Sequence, residues 1–112
     1  VYHQGDIGDS EARSMIAREQ SNETELARLG LTAPRVTPAM VDAAIAKAEY
    51  TVLQDGRTTI CLLTLDNGFT VRGESSCVSV ENFNKAFGEK AANDDARRHV
   101  WAFLAFRLAD RR

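Results

Sequence analysis

Behind the pair Thr37-Pro38, apolar residues recur at three- and four-residue spacing: Val41, Ala44, Ile45 and Ala48. The pair is a helix start. Threonine caps free amides, and proline tolerates the first turn, where no backbone donor is needed. The spacing makes one apolar stripe and predicts a helix that ends near Glu49. A shorter helix is expected upstream, with Asn22 or Thr24 as its cap, Glu23 and Glu25 in its first turn and Gly30 as its terminator. Residues 1–20 are polar, glycine-punctuated and without sustained period. They read as a flexible tail, or as a short helix ordered only by a partner.

The pattern then changes to that of strands. Tyr50–Leu53 leads into Asp55-Gly56, a tight-turn dipeptide. Thr58–Leu65 is β-branched at its start and apolar on both faces, with Ile60 and Leu62 on one and Cys61, Leu63 and Leu65 on the other. A strand of that kind is expected in the centre of a sheet, covered on both sides. Asp66-Asn67-Gly68 is a second hairpin turn, because asparagine and glycine accept positive φ cheaply, and Phe69–Gly73 is the third strand. Together these segments predict an antiparallel meander.

From Ser79, a candidate cap, the helical period returns through Phe83, Phe87, Ala91, Val100, Trp101, Leu104 and Leu108. A helix from about residue 80 to about residue 110 would be ~45 Å long. Gly88 and Asn93-Asp94-Asp95 are the places where it would break. Unbroken, it overhangs the sheet and leaves an apolar remainder for a second subunit. The expected fold class is therefore α+β: a three-stranded antiparallel meander packed against an N-terminal helix and a long C-terminal helix, and oligomeric. Residues 1–21 are expected as tail or short helix, and residues 22–112 as one domain.

Composition narrows function mainly by exclusion. With 44% apolar and 27% charged residues the chain has an ordinary globular make-up. A net charge of −2 argues against DNA or RNA as partner. The charge is unevenly spread: residues 1–25 hold six carboxylates against two arginines, and residues 97–112 hold five arginines against one carboxylate. No apolar run is long enough to span a bilayer, and no charged-then-apolar leader opens the chain. Two cysteines, Cys61 and Cys77, are too few for a disulfide scaffold. A cytoplasmic location is expected.

Candidate chemistry is sparse. His3, His99 and two separate cysteines give no metal-ligand spacing, and no cofactor is expected. Gly73-Glu74-Ser75-Ser76-Cys77 offers nucleophiles after a strand, but it is not a nucleophile elbow, and a strand-to-helix connection is the simpler reading. No enzymatic activity is expected. The glycines form no phosphate loop, so any phosphate must be held by arginine side chains. Arg107 and Arg111 share one helical face, and Arg57 and Arg72 lie in or beside the hairpins. The plain alternative is that late arginines complement the helix dipole. Aromatic side chains crowd the last helix; most are expected in the core or at a subunit contact, and an exposed one beside arginines suits a nucleobase.

The run from Thr64 to Cys77, Thr-Leu-Asp-Asn-Gly-Phe-Thr-Val-Arg-Gly-Glu-Ser-Ser-Cys, resembles a family of small phage and prophage proteins. The likeness continues through Glu81-Asn82-Phe83-Asn84, Gly88, Ala91, Asn93 and Trp101, and covers roughly residues 37–111. That family is similar to the phage Thoeris anti-defence proteins. These act as sponges, enclosing cyclic ADP-ribose isomers without cleaving them. Some hold cyclic oligonucleotides at a separate subunit junction, and they assemble as dimers or larger rings.

The resemblance implies a ligand-binding set of Phe83 for stacking, Asn93 for reading a base or ribose edge, and Arg57, Arg107 and Arg111 for phosphates. It implies a small nucleotide signal and further copies of the chain as partners. Residues 1–36 fall outside it. The competing reading, from the acidic start of the chain and the exposed helix, is an inhibitor or adaptor of a host or defence protein.

Overall fold

The computed structural model describes residues 15–30 and 34–111. Helix α1 is Met15–Arg28, α2 is Pro38–Ala44 and α3 is Lys85–Asp110. Strands β1 (Ile45–Val52), β2 (Thr58–Leu65) and β3 (Thr70–Ser76) form one antiparallel sheet in the order β1-β2-β3, which is the expected meander. Its turns use Gly56 at φ +71° and Gly68 at φ +88°, a region that glycine enters without steric cost. A 3-10 turn, Val80–Asn82, precedes α3.

Several boundaries differ from the sequence expectation. The first helix begins at Met15 rather than near Asn22, because its early turns have a tertiary anchor at Glu19, described below. The expected tail lies outside the described residues as far as residue 14. Thr37 does cap α2, accepting from the Met40 amide, and Val41 and Ala44 are buried. That helix stops at Ala44 instead of Glu49. Ile45 already pairs with Leu65, and the Ala44 carbonyl accepts from the Asp66 amide at 2.8 Å. Strand pairing overrides a helical period that Ala48 only seemed to extend.

At the other end, β3 continues to Ser76, past the expected Gly73. Asn84 caps α3 by accepting from the Phe87 amide, while Ser79 precedes the 3-10 turn without a side-chain cap. No break occurs at Gly88 or at residues 93–95. Both places are held by the sheet. The Ser75 hydroxyl donates to the Gly88 carbonyl at 2.9 Å, and the Asp95 carboxylate accepts from the Glu74 amide at 2.9 Å.

The alternation of β2 sorts its side chains. Thr59, Cys61, Leu63 and Leu65 face α3 and are buried; Ile60, Leu62 and Thr64 face the opposite side and are half-buried. Val71, Gly73 and Ser75 of β3 join the buried side. The core is completed by Ala92, Ala96, Val100 and Leu104 of α3 with Val36, Val41 and Ala44. Only one face of the sheet is covered among the described residues, so the two-sided cover expected for β2 is absent there. α3 sits very close to that face. A Cβ at Gly73 would lie within 2.5 Å of the Ala92 carbonyl oxygen and closer still to the Ala96 amide.

A buried ionic cluster ties the three helices together. The Arg97 guanidinium donates through Nε and Nη2 to the Glu19 carboxylate at 2.8–3.1 Å, and Nη2 also pairs with Asp42 at 2.7 Å. The Trp101 indole donates to Glu19 at 2.6 Å. Arg97 and Glu19 are each only 4% exposed. Burial works against the Arg97 charge, but the bonds to Glu19 and Asp42 outweigh it and hold its pKa above the ordinary arginine value.

Two stability predictions follow from these contacts. Gly73→Ala should cost about 3 kcal/mol in urea denaturation, since backbone rather than a movable side chain blocks the new methyl; an unchanged midpoint would mean that α3 can lift freely. Glu19→Ala should cost about 3–5 kcal/mol by the same measurement, because Arg97 would lose its main buried partner.

Candidate functional site

Arginines and aromatics meet at the C-terminal end of α3, beside the second hairpin. Arg107 and Arg111 are one turn apart and open into a cleft of about 230 Å³, with Met40 and Ala43 of α2, Asp66 of the second hairpin, and Leu104 and Leu108. Arg107 also borders a second cleft of about 330 Å³, lined by Asn67, Phe69, Phe103, Phe106 and Asp110. Phe103 and Phe106 leave the buried stripe because they lie off the line of Val100 and Leu104. Phe69 and Phe103 make an edge-to-face contact at 5.4 Å between centroids. Cationic forks beside open aromatic rings suit a ligand that carries phosphate and a flat base.

The other sequence-derived candidates lie toward the opposite end of α3. Arg57 is in the β1–β2 turn, where Nη1 donates to the Cys77 carbonyl at 3.2 Å and the backbone carbonyl accepts from the Cys77 amide. Its guanidinium thereby closes the end of β3. Phe83 is half-buried just after the 3-10 turn. Asn93 donates from Nδ2 to the Tyr50 hydroxyl at 3.0 Å, with the Cys61 sulfur at 3.9 Å.

Geometry divides the five residues. Asn93 and Arg107 are about 21 Å apart along the helix axis, and Phe83 precedes the opposite end of α3 from Arg107. Arg107 and Arg111 share a cleft; Arg57, Phe83 and Asn93 are not in it. At 100° per residue, Asn93 and Arg111 do project from the same side of α3, with Arg107 about 40° away.

The residues considered for nucleophilic chemistry have structural tasks. Ser75 is buried on Gly88, and the Cys77 thiol donates to the Ser79 carbonyl at 3.1 Å. His99 stands elsewhere, beside Arg72, Glu74 and Asp95. Among the described residues no group of three His, Cys, Asp or Glu side chains is placed to hold a metal ion. Sequence reasoning missed Tyr50, which partners Asn93 from β1, and the Glu19–Arg97–Trp101 cluster. Neither has a local signal, since the partners lie 43 and 78 residues apart in the chain.

Burial pushes the Cys61 thiol up to about 11 from its ordinary 9.0, outweighing the bonds with Asn93 and Tyr50 that lower it. A pKa raised by folding contributes stability that is full below the unfolded value and lost as pH rises through the folded one. Stability should therefore decline between about pH 9 and 11, and Cys61→Val should flatten that decline in pH-dependent denaturation. Native Cys61 should also be inert to a thiol reagent at pH 7.5 and reactive once the chain unfolds.

No helix of the described residues is long and apolar enough to cross a membrane. No curated protein and no solved structure matches the chain. One family does, over residues 36–111, which takes in α2, the whole sheet and α3 and leaves α1 outside. The chain belongs to the phage protein (N4 Gp49/phage Sf6 gene 66) family.

Proposed function

We propose that the protein is a phage anti-defence protein that binds and sequesters a cyclic ADP-ribose-type immune signal without cleaving it, with cyclic oligonucleotides as a second ligand class. The observation that carries this reading is the cleft shared by Arg107 and Arg111, with exposed Phe103 and Phe106 lining a second cleft that Arg107 also borders. The two guanidinium groups are the phosphate clamp. Asp66 lines the same cleft, and its carboxylate repels an anion placed on its side, so phosphate is expected on the side of the arginines away from it.

Phe83 and Asn93 provide the stacking ring and the edge-reading amide. Because they stand a helix length from the arginines, a pocket using both halves is built between two copies of the chain, one giving the arginines and the other the ring and amide. Capture without turnover has to be tight, and a nanomolar dissociation constant corresponds to about −12 kcal/mol. Closing the pocket between subunits strengthens arginine–phosphate contacts by excluding water.

The test is isothermal titration with cyclic ADP-ribose isomers and cyclic oligonucleotides, followed by native mass spectrometry of the complex. The expected result is a saturable complex carrying nucleotide of unchanged mass. The double variant Arg107→Ala/Arg111→Ala should bind at least a hundredfold more weakly, and Phe83→Ala about tenfold. A folded protein that binds none of these ligands, or that releases a product of altered mass, overturns the proposal.

A further inference from the structure

β3 is an edge strand, and one of its outward amides shows how such an edge is answered. The Glu74 amide points away from β2 and donates to the Asp95 carboxylate of α3 at 2.9 Å. That carboxylate oxygen stands where the carbonyl of a fourth strand would stand. Backbone direction repeats every two residues along a strand, so the amides and carbonyls of Arg72 and Thr70 point outward as well. The Leu65 amide, bonded to the Phe69 carbonyl at 2.8 Å, fixes the inward set from the other end of β3. Past Asp95 the same side of the helix offers His99 and then Phe103, with no second carboxylate for the Arg72 amide.

A groove follows this edge. β3 and α3 run in opposite directions, with Ser75 at Gly88, Gly73 at Ala92 and Ala96, and Phe69 at Phe103. One part of the groove is a cleft of about 620 Å³ lined by Ile60, Arg72, Gly73, Glu74, Asp95 and His99. The next part is the cleft of Phe69, Phe103 and Phe106. The strand from Glu74 to Phe69 spans ~17 Å, and so does the helix from Asp95 to Phe106. An extended segment of about five residues therefore matches both walls. His99 and Phe103 project from a different side of α3 than Leu104, Leu108 and Arg111, so the groove is separate from the cleft of the paired arginines.

The chemistry of the edge selects its occupant. Outward amides and carbonyls at strand spacing are answered by another extended backbone. In a strand antiparallel to β3, the residue opposite Arg72 lies on the open face of the sheet beside that exposed guanidinium, where a carboxylate is favoured. The residues opposite Val71 and Phe69 point to the α3 side. There Phe69 is 54% and Phe103 47% exposed, an apolar seat for two apolar side chains. We propose that an extended segment of another protein, patterned acidic–apolar–any–apolar, adds to the edge of β3 as a fourth strand, with Asp95 marking where the pairing stops. This docking uses backbone and side chains outside the nucleotide site and stands whether or not a nucleotide is bound.

Fluorescence anisotropy with the full chain and a fluorescein-labelled peptide, Ser-Glu-Leu-Thr-Phe, tests it, with circular dichroism and melting to confirm folding. The peptide should bind saturably. Its rearrangement Ser-Leu-Glu-Phe-Thr should bind at least about tenfold more weakly, because its apolar side chains would face the wrong side of the sheet. Arg72→Pro should weaken binding about tenfold. The Arg72 amide points outward, so proline there removes a donor without breaking the ladder to β2. Arg72→Glu should weaken binding about threefold, and a peptide with lysine in place of glutamate should recover it. In hydrogen exchange by NMR the free chain should show fast Thr70 and Arg72 amides and a slow Glu74 amide, and the peptide should protect the first two. No saturable binding to the folded chain, binding indifferent to Arg72→Pro, or protection along β1 instead would each overturn the proposal. Thr70 and Arg72 amides already protected in a self-associated free chain would put a second copy on this edge and overturn it too. Failure of the lysine peptide to recover binding to Arg72→Glu would overturn the antiparallel register.

Discussion

The seat of α3 on Gly73 sets the rest of the molecule. With no side chain there, the backbone of β3 meets the backbone of α3 at Ala92 and Ala96, and the neighbouring contacts follow from that closeness. Ser75 can reach the Gly88 carbonyl, and Asp95 can cap the otherwise unpaired Glu74 amide on the sheet edge. Both contacts hold the helix straight through two sites where its own propensity is weak. Glycine and a polar run cost helix stability locally, and the sheet offsets that cost. A straight α3 is about 39 Å long, whereas the eight-residue β2 spans about 27 Å. The unbroken helix thus carries the exposed phenylalanines and the late arginines to the second hairpin and α2, far from the seat at Gly73.

The Arg97 cluster adds a second restraint from the opposite side. Arg97 is an interior cation, and two carboxylates from two other helices converge on it. Asp42 belongs to α2, within the family-matched segment, and Glu19 belongs to α1, outside it. The matched segment thus keeps one partner for Arg97 of its own, while α1 adds the bidentate pair and the bond to Trp101. That arrangement explains why a helix with few buried side chains of its own is held in place at all. A buried charge pair contributes little net stability over an apolar contact, but it fixes position, because removing either member strands the other.

Much of this was legible in the sequence, and the limits have physical causes. The glycine and asparagine turns, the Thr37-Pro38 start and the two-faced pattern of β2 are local signals, and the meander follows from them. The end of α2 was not legible. Ala48 is a poor strand residue, and only pairing with Leu63 of β2 draws it out of a helix that its spacing suits. The start of α1 was missed for a similar reason, since Glu19 finds its partner 78 residues away. Of the five site candidates, Arg107 and Arg111 meet as their spacing implies. The distance between them and Phe83 is a property of an unbroken helix, and it could not be known until the fate of Gly88 was.

That distance also decides how a pocket using all of the candidates can be built. Within one chain the axial gap between Asn93 and Arg111 is about 27 Å. In one copy the Arg107–Arg111 cleft faces α2 and the second hairpin, not Asn93 or Phe83. Under the proposed function, a pocket shared between two copies brings the ring and the amide to the arginines by symmetry, so that no single chain has to close across the length of its own α3.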